Sequence, residues 1–63
     1  MIAVTKLNGQ RFVVNADLIR YVESIPDTMI TLSSGDKVMV QESLDDVVHL
    51  AIEYHRQVRF LNI

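Results

Sequence analysis

The chain has 63 residues, with six Lys and Arg against eight Asp and Glu, and no cysteine. That length holds one small domain, 1–63, which buries only about 60% of the surface its unfolded form exposes. Disulfides and thiolate metal sites are excluded, and a formal charge of −2 lacks the massed Lys and Arg that nucleic-acid phosphates demand. Yet 49% of the residues are hydrophobic, which is much for so little interior.

Met1 to Leu7 alternates as a strand, and Asn8-Gly9 follows as a two-residue hairpin signal. A type I′ turn there requires positive φ at both central residues. Gln10 to Val14 returns with Phe12 and Val14 on one face. Asn15-Ala16-Asp17 breaks the alternation with residues suited to turns and caps. A strand resumes at Ile19, with Ile19, Tyr21 and Glu23 on one side and Arg20, Val22 and Ser24 on the other. Pro26-Asp27 stops it, since proline fixes φ and donates no hydrogen bond. Thr28 to Leu32 is β-branched and alternating, Ser33 to Asp36 turns, and Lys37 to Gln41 is the last strand. Short connections leave no room for parallel crossovers.

From about residue 43 to 60 the period changes to that of a helix. Ser43 is a good N-cap, and Asp45 and Asp46 place negative charge where the macrodipole favours it. Leu44, Val47, Val48, Ala51, Tyr54, His55 and Val58 form an apolar stripe, widened by Leu50 and Leu61 on one edge and by Ile52 on the other. The expected fold is α+β, an antiparallel meander of four to five strands within 1–41 and one C-terminal amphipathic helix.

One helix covers one sheet face, and the obvious one carries Ile2, Val4, Phe12, Val14, Ile30, Leu32, Val38 and Val40. The opposite face still shows Ala3, Val13, Val22, Met29 and Met39, where an antiparallel sheet normally presents polar residues to water. Phe60 and Ile63 fall outside the helix stripe. These seven residues are the candidate interface of a homo-oligomer; the alternative is that a longer or bent helix lets them fill the rim.

Catalytic chemistry finds little support. Ser33 and Ser34 suit a turn and Ser43 a cap, with no Gly-x-Ser-x-Gly elbow. Asp45, His49 and Glu53 recur every four residues on one helical face, a spacing that in principle suits a divalent ion, but an exposed charged row is what a solvated helix presents. His55 is expected to be half-buried on a backbone carbonyl. Gly9 and Gly35 both belong to turns, so no phosphate loop exists. The sequence implies no enzyme, cofactor or metal. No apolar run approaches the roughly 18 residues of a membrane span, and no leader pattern is visible, so a cytoplasmic protein without membrane insertion is expected.

Leu7-Asn8-Gly9, Phe12-Val13-Val14-Asn15, Leu18-Ile19, Glu23, Pro26-Asp27-Thr28, Thr31-Leu32, Gly35 and Glu42-Ser43 occur together in order. This set resembles the FlbD/SwrD family of small flagellar and swarming-motility proteins, from Met1 to about Arg56. The resemblance implies a cytoplasmic protein supporting flagellar motor power or swarming, through the stator or another motor component, with no catalytic residues. The Phe60-Leu61-Asn62-Ile63 tail departs from the more basic end the family implies. A fainter similarity links Asp17-Leu18-Ile19, Tyr21-Val22-Glu23 and Ser43-Leu44-Asp45-Asp46-Val47 to part of LytTR-type DNA-binding domains. It supplies the alternative of a small transcriptional regulator, against which the charge balance argues.

Overall fold

The first reversal of the chain shows how tightly its turns are built. In the computed structural model, which describes the backbone of residues 1–61 and the side chains of residues 1–57, β1 (Ile2–Thr5) pairs antiparallel with β2 (Arg11–Val14). The loop between them is not the type I′ turn expected from Asn8-Gly9. Gly9 has φ +92°, and among the described residues no non-glycine residue has positive φ. The Gly9 amide donates to the Lys6 carbonyl at 2.9 Å and the Lys6 amide to the Gln10 carbonyl at 2.8 Å. This is the three-residue hairpin class, a turn followed by a bulged glycine. Asn8 contributes its side chain instead of its backbone, its Oδ1 accepting the Gln10 amide at 3.0 Å.

The same device closes the last hairpin. The Gly35 amide donates to Leu32 at 2.9 Å, the Leu32 amide to Asp36 at 2.8 Å, and Gly35 has φ +94°. Between the hairpins, Asn15 caps a 3₁₀ turn over Ala16–Leu18, its side chain accepting the Asp17 amide. β3 (Ile19–Ser24), β4 (Thr28–Leu32) and β5 (Lys37–Val40) then form a three-stranded antiparallel sheet.

The five strands therefore make two sheets, one of two strands and one of three, where the sequence pointed to one meander. They meet at a Lys6–Val40 bridge and where the Gln41 amide donates to the Thr5 carbonyl at 2.8 Å. The two sheets thus touch end to end, where the chain just after β1 meets the end of β5.

Helix α1 (Leu44–Leu61) begins at Ser43, whose Oγ accepts the Asp46 amide at 3.1 Å. Val47 is fully buried, and with Ile2, Val4, Val14, Ala16, Ile30 and Val40 it makes the core, with Phe12, Leu32 and Val38 packed against it. Of the eight positions expected on the inner face, five are in the core and three pack against it, and full burial of a Val or Ile is worth about 1.5–3 kcal/mol. The helix meets that core through Val47, Ala51 and Tyr54. Val48 is 41% exposed and His55 is exposed, so the stripe that packs is narrower than the sequence suggested.

Val22 also moves from its expected face. The β3–β4 register shifts between Ile19 and Tyr21, and this bulge at Arg20 inverts the alternation beyond it. Ile19 and Val22 consequently both pack against the core, and Val22 stands in register with Ile30 and Val38.

A Cβ added at Gly9 or Gly35 would meet nothing within 4 Å, so the cost of a side chain is conformational alone. Gly9→Ala and Gly35→Ala are each expected to lower stability by about 1–2 kcal/mol. Denaturant unfolding measures this; an unchanged midpoint for either variant would contradict the bulged-glycine turn.

Candidate interaction surface

The outer sheet surface is set by which side chains the pleat turns away from the core. Ala3 stands opposite Val13 in the first sheet, and both are exposed. In the second sheet Met29 stands between Glu23 and Met39; Met29 is half-buried and Met39 is 40% exposed. Val22 is absent from this surface, as described above. Phe60 and Ile63 lie outside the residues whose side chains are described. Of the seven residues read from the sequence, four stand on the outer sheet surface as two cross-strand pairs, Ala3–Val13 and Met29–Met39.

A polar clamp occupies the outer face of the first hairpin next to Ala3 and Val13. The Glu42 carboxylate accepts the Thr5 amide at 2.8 Å through Oε1 and the Thr5 hydroxyl at 2.9 Å through Oε2. Arg11 Nη1 donates to Thr5 Oγ1 at 3.1 Å and lies 3.9 Å from Glu42 Oε2. Burial pushes the Glu42 carboxyl up. The Thr5 amide, Glu42's own amide, the Thr5 hydroxyl and the Arg11 charge together outweigh it and hold the group below its ordinary value. No sequence signal announces this clamp, because Thr5 and Glu42 are 37 positions apart.

Beside the clamp runs a groove of about 560 Å³ between the hairpin and the helix, lined by Ala3, Arg11, Glu42, Asp46, His49, Leu50 and Glu53. The charged helical row read from the sequence is divided here: His49 and Glu53 line the groove, and Asp45 does not. Among the described residues, no group of three or more His, Asp or Glu is placed to hold a metal ion.

On the other flank the helix is tied to the 3₁₀ turn through Asp17. The Tyr54 hydroxyl donates to Asp17 Oδ2 at 3.2 Å, and His55 Nδ1 lies 3.7 Å from Asp17 Oδ1. His55 therefore faces a carboxylate at the surface, not the backbone carbonyl expected of it. Partial desolvation, then the charge and hydrogen bond of Asp17, raise the Tyr54 hydroxyl above its ordinary value.

Among the described residues no helix is long and apolar enough to cross a membrane. A profile of the FlbD family, described as flagellar and swarming motility proteins, matches residues 1–59. Comparison with curated proteins and with solved structures found no match.

A folded-state pKa depressed below the unfolded value stabilises above the unfolded value, and the contribution is lost as pH falls through the folded one. For Glu42 the ordinary value is 4.5, so its clamp is complete at neutral pH. Glu42→Gln is expected to lose about 1 kcal/mol at pH 7 and to converge with the parent chain in acid. Melting curves from pH 7 down to 3 measure this; a deficit that persists unchanged in acid would contradict the ionised clamp.

Proposed function

We propose that this chain, which belongs to the FlbD family of flagellar and swarming motility proteins, serves motility as a non-enzymatic, oligomeric interaction module in the cytoplasm. It supports flagellar motor power or swarming by contact with the stator or another motor component. Family membership supports the motility role. The observation that supports an interaction role is the Met29–Met39 pair, set side by side on the outer sheet face with Met39 exposed. Methionine is flexible and polarizable, and it is over-used at surfaces that adapt to a partner. Glu23 beside Met29 adds a charge at the edge of the patch, which suits a partner with a basic group next to an apolar one.

The chemistry of the site agrees with this reading. The polar side chains that come together, Thr5, Arg11 and Glu42, satisfy one another, and a carboxylate saturated in this way is a structural group. The serines hold a turn and a cap, with Ser34 bonded to Asp36 and Ser43 to the Asp46 amide.

Met39→Glu places a charge on the patch at a position already 40% exposed, so the fold is expected to persist, with a stability change near 0.5 kcal/mol. A strain carrying it is expected to assemble flagella and to lose most of its swarming. Swarming assays beside circular dichroism of the purified variant measure this; a folded variant with full swarming would overturn the reading of the patch.

A further inference from the structure

The groove between the first hairpin and the helix carries a charge pattern that the clamp does not use. Helix α1 touches the core through Val47, Ala51 and Tyr54. Asp46, Leu50 and Glu53, at intervals of four and three residues, therefore line up on the flank that faces the hairpin. Leu50 is 36% exposed and shares the groove with Ala3, itself exposed, so the middle of this 560 Å³ space is apolar. Asp46 and Glu53 stand to either side of Leu50, about 10 Å apart along the helix at 1.5 Å per residue.

The two sides of the groove differ in how their charges are met. On the hairpin side Arg11 and Glu42 hold Thr5 and each other and cancel. On the helix side Asp46 gives its amide to Ser43, but among the described residues its carboxylate has no hydrogen bond or ion pair. Glu53 meets Gln57 at 3.5 Å and Arg56 at 3.8 Å. The Arg56 side chain is 80% exposed, and an ion pair so open to water is worth little.

We propose that this groove holds an extended segment of a partner protein that presents a basic, an apolar and a second basic residue on one face. Acidic groups on both sides of an apolar one select the inverse pattern. In an extended chain residues i, i+2 and i+4 point the same way, which sets the two basic residues about 13 Å apart. Their long stems lean inward along the groove, covering apolar surface while the charged heads stay at the carboxylates, and the middle residue covers Leu50. A nucleic acid or an anionic lipid surface would bring negative charge to negative charge. The contact rests on the interaction role given above and is separate from the Met29–Met39 patch, which lies on the other sheet.

The probe is a capped peptide containing Lys-Ser-Leu-Ser-Lys, titrated at low salt into the isotope-labelled full chain and followed by amide resonances. Saturable shifts are expected at Asp46 to Glu53 and at Ala3, weakening as salt is added. Asp46→Asn with Glu53→Gln in one chain is expected to weaken binding roughly tenfold, with circular dichroism unchanged, and serine in place of the peptide's leucine to weaken it as well. Asp46→Lys with Glu53→Lys is expected to prefer the Glu-Ser-Leu-Ser-Glu peptide. A parent chain without saturable shifts, shifts centred on Met29 and Met39, or equal binding of the acidic peptide by the parent would each overturn the proposal. So would a folded Asn and Gln variant that binds as the parent does. Concentration-dependent shifts at Leu50 without peptide would mean that a second copy fills the groove, and would overturn it too. Peptide binding is read on purified protein and the motility reading on swarming of the Met39→Glu strain, so either can fail alone.

Discussion

The junction where β1 meets β5 is the constraint on which the molecule depends. A two-stranded hairpin is marginal in water, and a short three-stranded sheet is little better without a covered face. Here the two sheets share the Lys6–Val40 bridge, the Gln41 amide on Thr5, and the Glu42 carboxylate holding the Thr5 amide and hydroxyl. Glu42 directly precedes the helix cap Ser43, so the group that joins the sheets also fixes where α1 starts. One turn later Val47 enters the core, fully buried together with Val4, Ile30 and Val40. Hydrogen bonding at the junction and apolar burial behind it therefore reinforce each other, and neither has a substitute in a chain without disulfides.

This solution shapes the outer surface. A carboxylate and a guanidinium standing on the hairpin beside Ala3 and Val13 interrupt the apolar face that alternation alone implies. Covering Thr5, Arg11 and Glu42 with another protein would strip water from charged groups whose best hydrogen bonds are already made, and that desolvation can exceed what the contact returns. The clamp thus keeps part of the sheet wet. It leaves the Met29–Met39 pair, on the other sheet, clear of that clamp.

Much of this was legible because it is local. Period-two alternation named Ile2, Val4, Phe12, Val14, Ile30, Leu32, Val38 and Val40 as inward, and each packs in or against the core. Ser43 capped the helix as its side chain requires, and both glycines fell in turns. The misses share a physical origin. A bulge adds one residue to a strand without changing its composition, so nothing about Arg20 reveals that Val22 faces inward. Asn-Gly suits two turn classes, and the hydrogen bond from the Gln10 amide to the Asn8 side chain goes with the one that spares Asn8 a left-handed backbone. The Thr5–Glu42 clamp joins opposite parts of the chain, beyond the reach of any local pattern.

The width of the helix stripe is the most informative of these differences. Sequence periodicity assigns an apolar side chain to a stripe but not to the surface that covers it, and a helix resting on a small sheet touches it along one narrow line. Val47, Ala51 and Tyr54 take that line. Leu50 then falls toward the groove beside Asp46 and Glu53, while Val48 and Ile52 fall to the opposite flank, past the Asp17 tether at Tyr54 and His55. The hydrophobic content that seemed too great for 63 residues is therefore divided between sheet and helix. The sheet's share is broken by a charged clamp, and the helix's share is split between the groove, which takes Leu50, and the opposite flank, which carries Val48 and Ile52.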